Sequence, residues 1–216
     1  LRGIFVTGTG TEVGKTVVAA AIARTLAAEG RRVTVFKPAV TGLDEPGEGD
    51  HALLRRAAGS EQSDDEIAPY RYGPPASPHL AAATAGEEIE AARLVAAAGA
   101  AAAGADALVC EGVGGLLVPL CRDYLVRDLA VELALPLVIA ARPGLGTINH
   151  SLLTIEAARA AGLTIRAVVL TPWTEDPTAI ERSNRETIAA LGDVAVKTLP
   201  PLDLAAPESW PRLELS

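Results

Sequence analysis

The sequence contains no methionine, two cysteines, three histidines and only 3% aromatic residues. Each scarcity removes a class of protein. Cys110 and Cys121 are too few for a disulfide framework and lack metal-ligand spacing, so a reducing, cytoplasmic setting is expected. His51, His79 and His150 show no ligand spacing either. Basic residues are also short: 19 Lys and Arg against 27 Asp and Glu leave a net charge of −8. That balance argues against nucleic acid or an anionic membrane as partner, since both need clustered cations, but it permits a local anion site. The alanine-rich window from Leu94 to Val109 is interrupted by Gly99, Gly104 and Asp106, unlike a membrane span of about 20 strongly apolar residues. Leu1-Arg2-Gly3-Ile4-Phe5-Val6 resembles no secretory signal, and with no methionine at position 1 a trimmed or renumbered start is expected.

What is present is apolar material, 49% of 216 residues. A chain of this size buries roughly 70% of its unfolded surface, so one domain over residues 1–216 is expected. Short β-branched runs alternate with longer helical patterns. Strands are expected at Ile4 to Thr7, Val33 to Lys37, Ala107 to Glu111, Leu137 to Ala141, Ala167 to Thr171 and Val194 to Thr198. Several are continuously apolar, as a parallel sheet covered on both faces requires. Helices are expected at Lys15 to Glu29, His51 to Ala58, Glu87 to Ala103, Tyr124 to Leu133, Asn149 to Ala161 and Thr178 to Leu191. Glycines at 30, 104, 162 and 192 stand where left-handed helix caps are favoured. The alternation predicts an α/β fold, a doubly wound, mostly parallel sheet in three α/β/α layers. Loops gather at Gly42 to Gly49 and Tyr70 to Pro78, and the proline-rich tail after Pro200 reads as a surface strap. Trp173 and Trp210 read as packing residues first and as borders of a base second.

The strongest local signal is Gly8-Thr9-Gly10-Thr11-Glu12-Val13-Gly14-Lys15-Thr16, between an expected strand and an expected helix. There the free backbone N–H groups and the helix start converge on one spot and favour phosphate. Lys15 is expected to reach the β- and γ-phosphates and the Thr16 hydroxyl to ligate Mg²⁺. Five residues separate Gly8 from Gly14, one more than the common phosphate-loop spacing. A dinucleotide fingerprint fails, because Gly14 follows Gly10 by four residues rather than three. A nucleoside triphosphate site of P-loop NTPase type is the expectation.

Phosphoryl transfer needs a metal and positive charge near the transferred group. Glu111 is expected at the end of its strand, before Gly112-Val113-Gly114-Gly115, pointing into the crevice at the strand carboxyl ends. Asp50 precedes the helix from His51, where it is either a helix cap or a hard oxygen ligand. Lys37 opens Lys37-Pro38-Ala39-Val40-Thr41-Gly42. If the first two strands are neighbours, it projects over the phosphate loop. Pro143-Gly144-Leu145-Gly146-Thr147-Ile148-Asn149 enters another helix without a lysine. It is either an ordinary turn capped by Thr147 or Asn149, or a carboxylate site at a helix start.

Taken together, Gly8 to Thr16, Lys37-Pro38-x-x-Thr41-Gly42, Glu111-Gly112-Val113-Gly114-Gly115 and Gly144-Leu145-Gly146-Thr147-Ile148-Asn149-His150 resemble the dethiobiotin synthetase family over roughly Ile4 to Pro201. The longer phosphate loop is that family's form. The resemblance implies ATP-dependent ring closure of 7,8-diaminopelargonate with CO₂ through a carbamate and a carbamic-phosphoric anhydride, in a homodimer. It implies Lys15 and Lys37 as the catalytic cations, and Thr16, Asp50 and Glu111 as Mg²⁺ ligands. It further implies ATP or another triphosphate on Glu12, Val13, Gly14, Lys15, Thr16, Val17, Asp50, Glu111, Gly112, Val113, Gly114, Thr171, Pro172, Pro200, Pro201 and Leu202. The substrate would meet Thr11 and Thr41, with Gly144, Leu145, Gly146, Thr147 and Asn149 of the other subunit on its carboxylate. No general-base histidine or triad is required, because a carbamate is already a nucleophile. The chain departs from many relatives at two points: Gly10 stands where an Asp is common, and Thr171-Pro172-Trp173 lacks the Asn that reads adenine.

Two rival classes fit less well. Partitioning-type ATPases carry an extra lysine near the start of the phosphate loop, where this chain has Thr9. Corrinoid amidoligases need a fused glutaminase domain, for which 216 residues leave no room.

Overall fold

Continuously apolar strands need helices on both faces, and the computed structural model, which describes residues 1–215, supplies them. The chain runs β1 (Gly3–Gly8), α1 (Lys15–Ala28), β2 (Val33–Phe36), α2 (Asp50–Ala58), α3 (Asp64–Ile67), α4 (Pro78–Thr84), α5 (Ala91–Ala102), β3 (Ala107–Gly115), β4 (Pro119–Cys121), β5 (Tyr124–Leu125), α6 (Val126–Leu133), β6 (Leu137–Ala141), α7 (Thr147–Ala160), β7 (Ile165–Leu170), α8 (Ala179–Gly192) and β8 (Val196–Thr198). Six strands form a parallel sheet in the order β2-β3-β1-β6-β7-β8, and β4 and β5 form a small antiparallel hairpin. This is the expected doubly wound α/β architecture.

Alternation along each strand sends residues to opposite faces. Phe5, Leu108, Cys110, Leu137, Ile139 and Val168 join one core with α5, α6, α7 and α8. Val6, Val35, Val109, Val138 and Val169 join the other with α1, α2 and the C-terminal strap. The only two phenylalanines, Phe5 and Phe36, are both fully buried. At about 3 kcal/mol for burying such a side chain, this scarce residue type is spent on the core. Trp210 buries on the α1 side, donating its indole N–H to Asp203 O at 2.6 Å, and Leu213 N–H donates to Thr25 Oγ1 at 3.0 Å, so the tail is a packed strap.

Several boundaries differ from expectation, each for a local reason. β3 does not stop at Glu111 but runs on to Gly115, since pairing with β1 resumes at Gly8 opposite Gly115 after a bulge beyond Val6 opposite Glu111. Tyr124 and Leu125 pair with the hairpin, so α6 starts only at Val126. Short α3 and α4 carry no periodic pattern long enough to read. Their starts are set by caps: Ser63 accepts from the Glu66 N–H while Glu66 accepts from the Ser63 N–H, and Pro78 opens α4. Gly30, Gly104 and Gly162 take positive φ as expected, but Gly192 does not. It is the last residue of α8, and Asp193 takes the left-handed cap at φ 43. Gly192 serves packing instead, because a Cβ there would meet Ile155 Cδ1 at 2.9 Å. Among the described residues no helix is long and apolar enough to cross a membrane.

Candidate active site

The phosphate loop joins the central strand β1 to α1. Glu12 (φ 56) and Gly14 (φ 88) both adopt left-handed backbone in it, and a Cβ on Gly14 would collide with Thr171 Cγ2 at 2.6 Å. Glycine is therefore required there by conformation and by space. The loop delivers Lys15 and Thr16 as the first residues of α1. Lys15 Nζ donates to Gly10 O at 2.8 Å.

β3 lies between β1 and β2. Lys37 therefore does not reach the phosphate loop from a neighbouring strand; it arrives across the end of β3, where it meets Glu111, which also contacts Thr16 of the loop. Lys37 Nζ donates to Glu111 Oε1 at 2.7 Å and lies 2.8 Å from Asp50 Oδ2. The Lys37 backbone is anchored by its N–H to Ile67 O at 2.8 Å. Gly49 is the N-cap of α2, and Asp50 is its first residue. The Asp50 side chain is thus released from capping: its Oδ1 accepts from Thr16 Oγ1 at 3.0 Å, with Glu111 Oε1 2.9 Å from the same hydroxyl. One hydroxyl proton serves one of these acceptors at a time.

Charge and burial compete at each group. Burial pushes the Glu111 carboxyl above its ordinary range, against the pull of Lys37. Burial would lower Lys37, but Glu111 and Asp50 outweigh it and hold the ammonium above the usual lysine value. Asp50 would likewise be raised by burial, and Lys37 reverses the sign and lowers it. Lys15 is lowered, chiefly by burial, with Glu111 opposing.

Three hard oxygen donors, on Thr16, Asp50 and Glu111, converge here. Glu111 Oε2 is buried without a hydrogen-bond partner in the protein. This donor set fits Mg²⁺, which prefers carboxylate and hydroxyl oxygen. Above it opens a cleft of about 700 Å³ at the carboxyl ends of the strands.

Of the residues expected in the site, Thr11, Glu12, Gly14, Lys15, Thr16, Val17, Lys37, Thr41, Asp50, Glu111, Val113 and Gly114 line this cleft. Gly112 does not, because it faces the core, where a Cβ would meet Val126 Cγ1 at 2.8 Å. Val13 packs in the α1-side core, as do Val17 and Leu202. Thr171 is buried against Gly14, while Pro172, Pro200 and Pro201 are exposed beyond the cleft. The Trp173 N–H donates to Leu199 O at 2.8 Å, joining the connections after β7 and β8. Gly144, Leu145, Gly146, Thr147 and Asn149 lie outside the cleft of their own chain. There Gly146, not Thr147 or Asn149, is the N-cap of α7, and Leu145 is 95% exposed.

Sequence reasoning missed Glu45, Pro75, Ala76, Ser77 and Val118, which also line the cleft. The Gly- and Pro-rich character of Tyr70 to Pro78 was the available signal. That segment is zipped to the one after Lys37 by Tyr72 N–H to Val40 O at 2.9 Å and Gly42 N–H to Pro74 O at 3.1 Å.

Comparison with known proteins bears on the family and the fold. A family model described as an AAA domain matches residues 2–209. The ATP-dependent dethiobiotin synthetase BioD of Anaeromyxobacter dehalogenans (strain 2CP-C) is 46% identical over 170 residues, covering 79% of this chain and 76% of that protein. The enzymes of that name from Bacillus cereus (strain B4264) and Bacillus subtilis (strain 168) are 41% and 35% identical over 202 residues, 93% of this chain and 84% and 87% of theirs. Among solved structures, the cell division protein ftsY of Thermotoga maritima superposes with a TM-score of 0.52 at 15% identity, over 99% of this chain and 65% of that one, a likeness of fold alone. On sequence identity sustained over most of both partners' lengths, the chain belongs to the ATP-dependent dethiobiotin synthetase family.

Proposed function

We propose that this chain, as one folded domain, catalyses ATP-dependent ring closure of 7,8-diaminopelargonate with CO₂ to give dethiobiotin, ADP and phosphate. The observation that carries the reading is the buried cation Lys37, held between Glu111 and Asp50 beside Lys15 and Thr16 on the floor of the cleft. In the reaction, one amine of the diamine adds to the carbon of CO₂ and loses a proton, leaving a carbamate. A carbamate oxygen then attacks the γ-phosphorus, and ADP departs. Finally the second amine attacks the carbamoyl carbon, and phosphate leaves with the oxygen it acquired.

Every stage carries negative charge on carbamate or phosphate oxygens. Lys15 and Lys37 would neutralise it, and positioning and charge supply most of the catalysis. Thr16, Asp50 and Glu111 would hold Mg²⁺, which when bound screens the charge of the phosphate oxygens. Thr11 and Thr41 line the same cleft and would contact the diamine. Gly144 to Asn149 do not line their own cleft, which supports their serving the substrate carboxylate of a second subunit. Glu12 to Val17, Val113, Gly114, Thr171, Pro172 and Pro200 to Leu202 would border the nucleotide. Two free cysteines fit a cytoplasmic enzyme. The test is phosphate release with bicarbonate and Mg²⁺ present: stimulation by 7,8-diaminopelargonate is expected, and its absence removes the reading.

A further inference from the structure

Among the described residues, two side chains from outside the loop's own turn or from its lysine hold the phosphate-loop backbone by hydrogen bonds, and they behave differently once a nucleotide arrives. Lys15 Nζ rests on Gly10 O at 2.8 Å. To neutralise a phosphate it must give that contact up. Arg142, at the carboxyl end of β6, donates from Nε to Glu12 O at 2.8 Å, and nothing in the reaction asks for this bond. Glu12 is the one residue of the loop that adopts left-handed backbone (φ 56) without being glycine. For a residue with a Cβ that conformation is unfavourable and persists only when its surroundings hold it.

Arg142 is built to hold it. Its own backbone is restricted to extended geometry by Pro143. On one side the Thr171 N–H donates to Ala141 O at 3.0 Å. On the other, buried Asn184 donates from Nδ2 to Pro143 O at 2.9 Å and to Gly144 O at 3.1 Å. Arg142 makes no ion pair among the described residues, so its bond to the loop is not incidental to a salt bridge. A carbonyl turned toward the phosphates would repel them. One bound to a guanidinium has its negative charge offset, which leaves the loop's N–H groups to dominate at the ligand.

We propose that Arg142 is a positioning residue for the triphosphate, acting through the Glu12 carbonyl to keep the phosphate loop in its binding conformation. The proposal rests on the cleft being a nucleotide site, and its test does not need the diamine. Calorimetric titration of Arg142→Met with Mg²⁺ and a non-hydrolysable ATP analogue is expected to show about tenfold weaker binding, the loss of one charge-assisted hydrogen bond. Amide exchange at Glu12 to Gly14 is expected to quicken while that in β6 and α7 is unchanged. In the full reaction the nucleotide KM rises in parallel, with kcat at saturating nucleotide and the diamine KM held within about twofold. Arg142→Lys, which keeps a donor of similar reach, recovers most of the affinity. Unchanged analogue affinity in Arg142→Met overturns the proposal. So does a joint fall of kcat, both KM-derived affinities and thermal stability, which would make Arg142 a folding residue. Failure of the diamine to stimulate turnover would instead strike at the synthetase reading and leave the analogue titration interpretable.

Discussion

Lys37 and Glu111 form an ion pair of 2.7 Å with the lysine side chain 4% exposed and the glutamate fully buried. Neither group is solvated, so each is tolerated because the other is there. Removing one partner of such a pair costs about 3–5 kcal/mol, whereas replacing both can be near neutral. Lys37→Met is therefore expected to lower stability by about that amount and to abolish turnover. Adding Glu111→Gln to it should recover most of the stability and none of the activity. Denaturant unfolding of the single and double variants checks this, and equal losses in both would contradict the pairing.

The three oxygen donors on Thr16, Asp50 and Glu111 predict a divalent-cation requirement. Chelation should stop phosphate release, and Mg²⁺ should restore it. Asp50→Asn is expected to raise the Mg²⁺ concentration at half-maximal rate by about tenfold or more, the scale on which weakened metal sites respond. A wild-type Mg²⁺ dependence in that variant would remove Asp50 from the ligand set.

At the end of β7 every backbone donor is already committed. Thr171 N–H binds Ala141 O, Pro172 has none, and Trp173 N–H binds Leu199 O. With no Asn side chain there to read adenine, this segment offers a base little basis for discrimination. Values of kcat/KM for ATP, CTP and GTP are expected to fall within about tenfold of one another, which is about 1.4 kcal/mol. A preference for ATP of a hundredfold or more would refute the expectation.

Asp106 joins the starts of β2 and β3. Arg32 donates to it from its side chain and from its backbone N–H at 2.9 Å, and these bonds hold the Asp106 carboxyl below its ordinary value of 3.8. A carboxyl with a depressed folded pKa contributes stability above the unfolded value and loses it as pH falls through the folded one. Asp106→Asn should thus lower Tm at neutral pH, with the gap to wild type closing as pH falls below the carboxyl's ordinary 3.8. A gap that persists in acid would show that the bond does not depend on the charge.

Much of the fold was legible in the chain because its signals are local. A continuous apolar run such as Leu137 to Ala141 cannot sit in a sheet with one wet face, and alternating helices then dictate parallel strands. The phosphate loop was legible for a related reason: its glycines, Lys15 and Thr16 are contiguous, so one strand-to-helix turn is enough to assemble them. α3, α4 and the β4–β5 hairpin were not, because elements of two to seven residues are shorter than the pattern that would announce them.

What the amino-acid sequence determined by itself was the identity of the groups: two lysines, two carboxylates and a threonine at strand ends and helix starts. Tertiary structure decided which of them meet. Strand order is set by how helices pack across the two faces of the sheet, not by any local propensity, and it inserts β3 between β1 and β2. That insertion sets Glu111 between Lys37 and Thr16 and makes it the counter-ion of the lysine at the edge of the phosphate loop. The same long-range packing brings Glu45 and Ser77 to the cleft and sets Arg142 against Glu12, contacts between residues that no spacing along the chain relates.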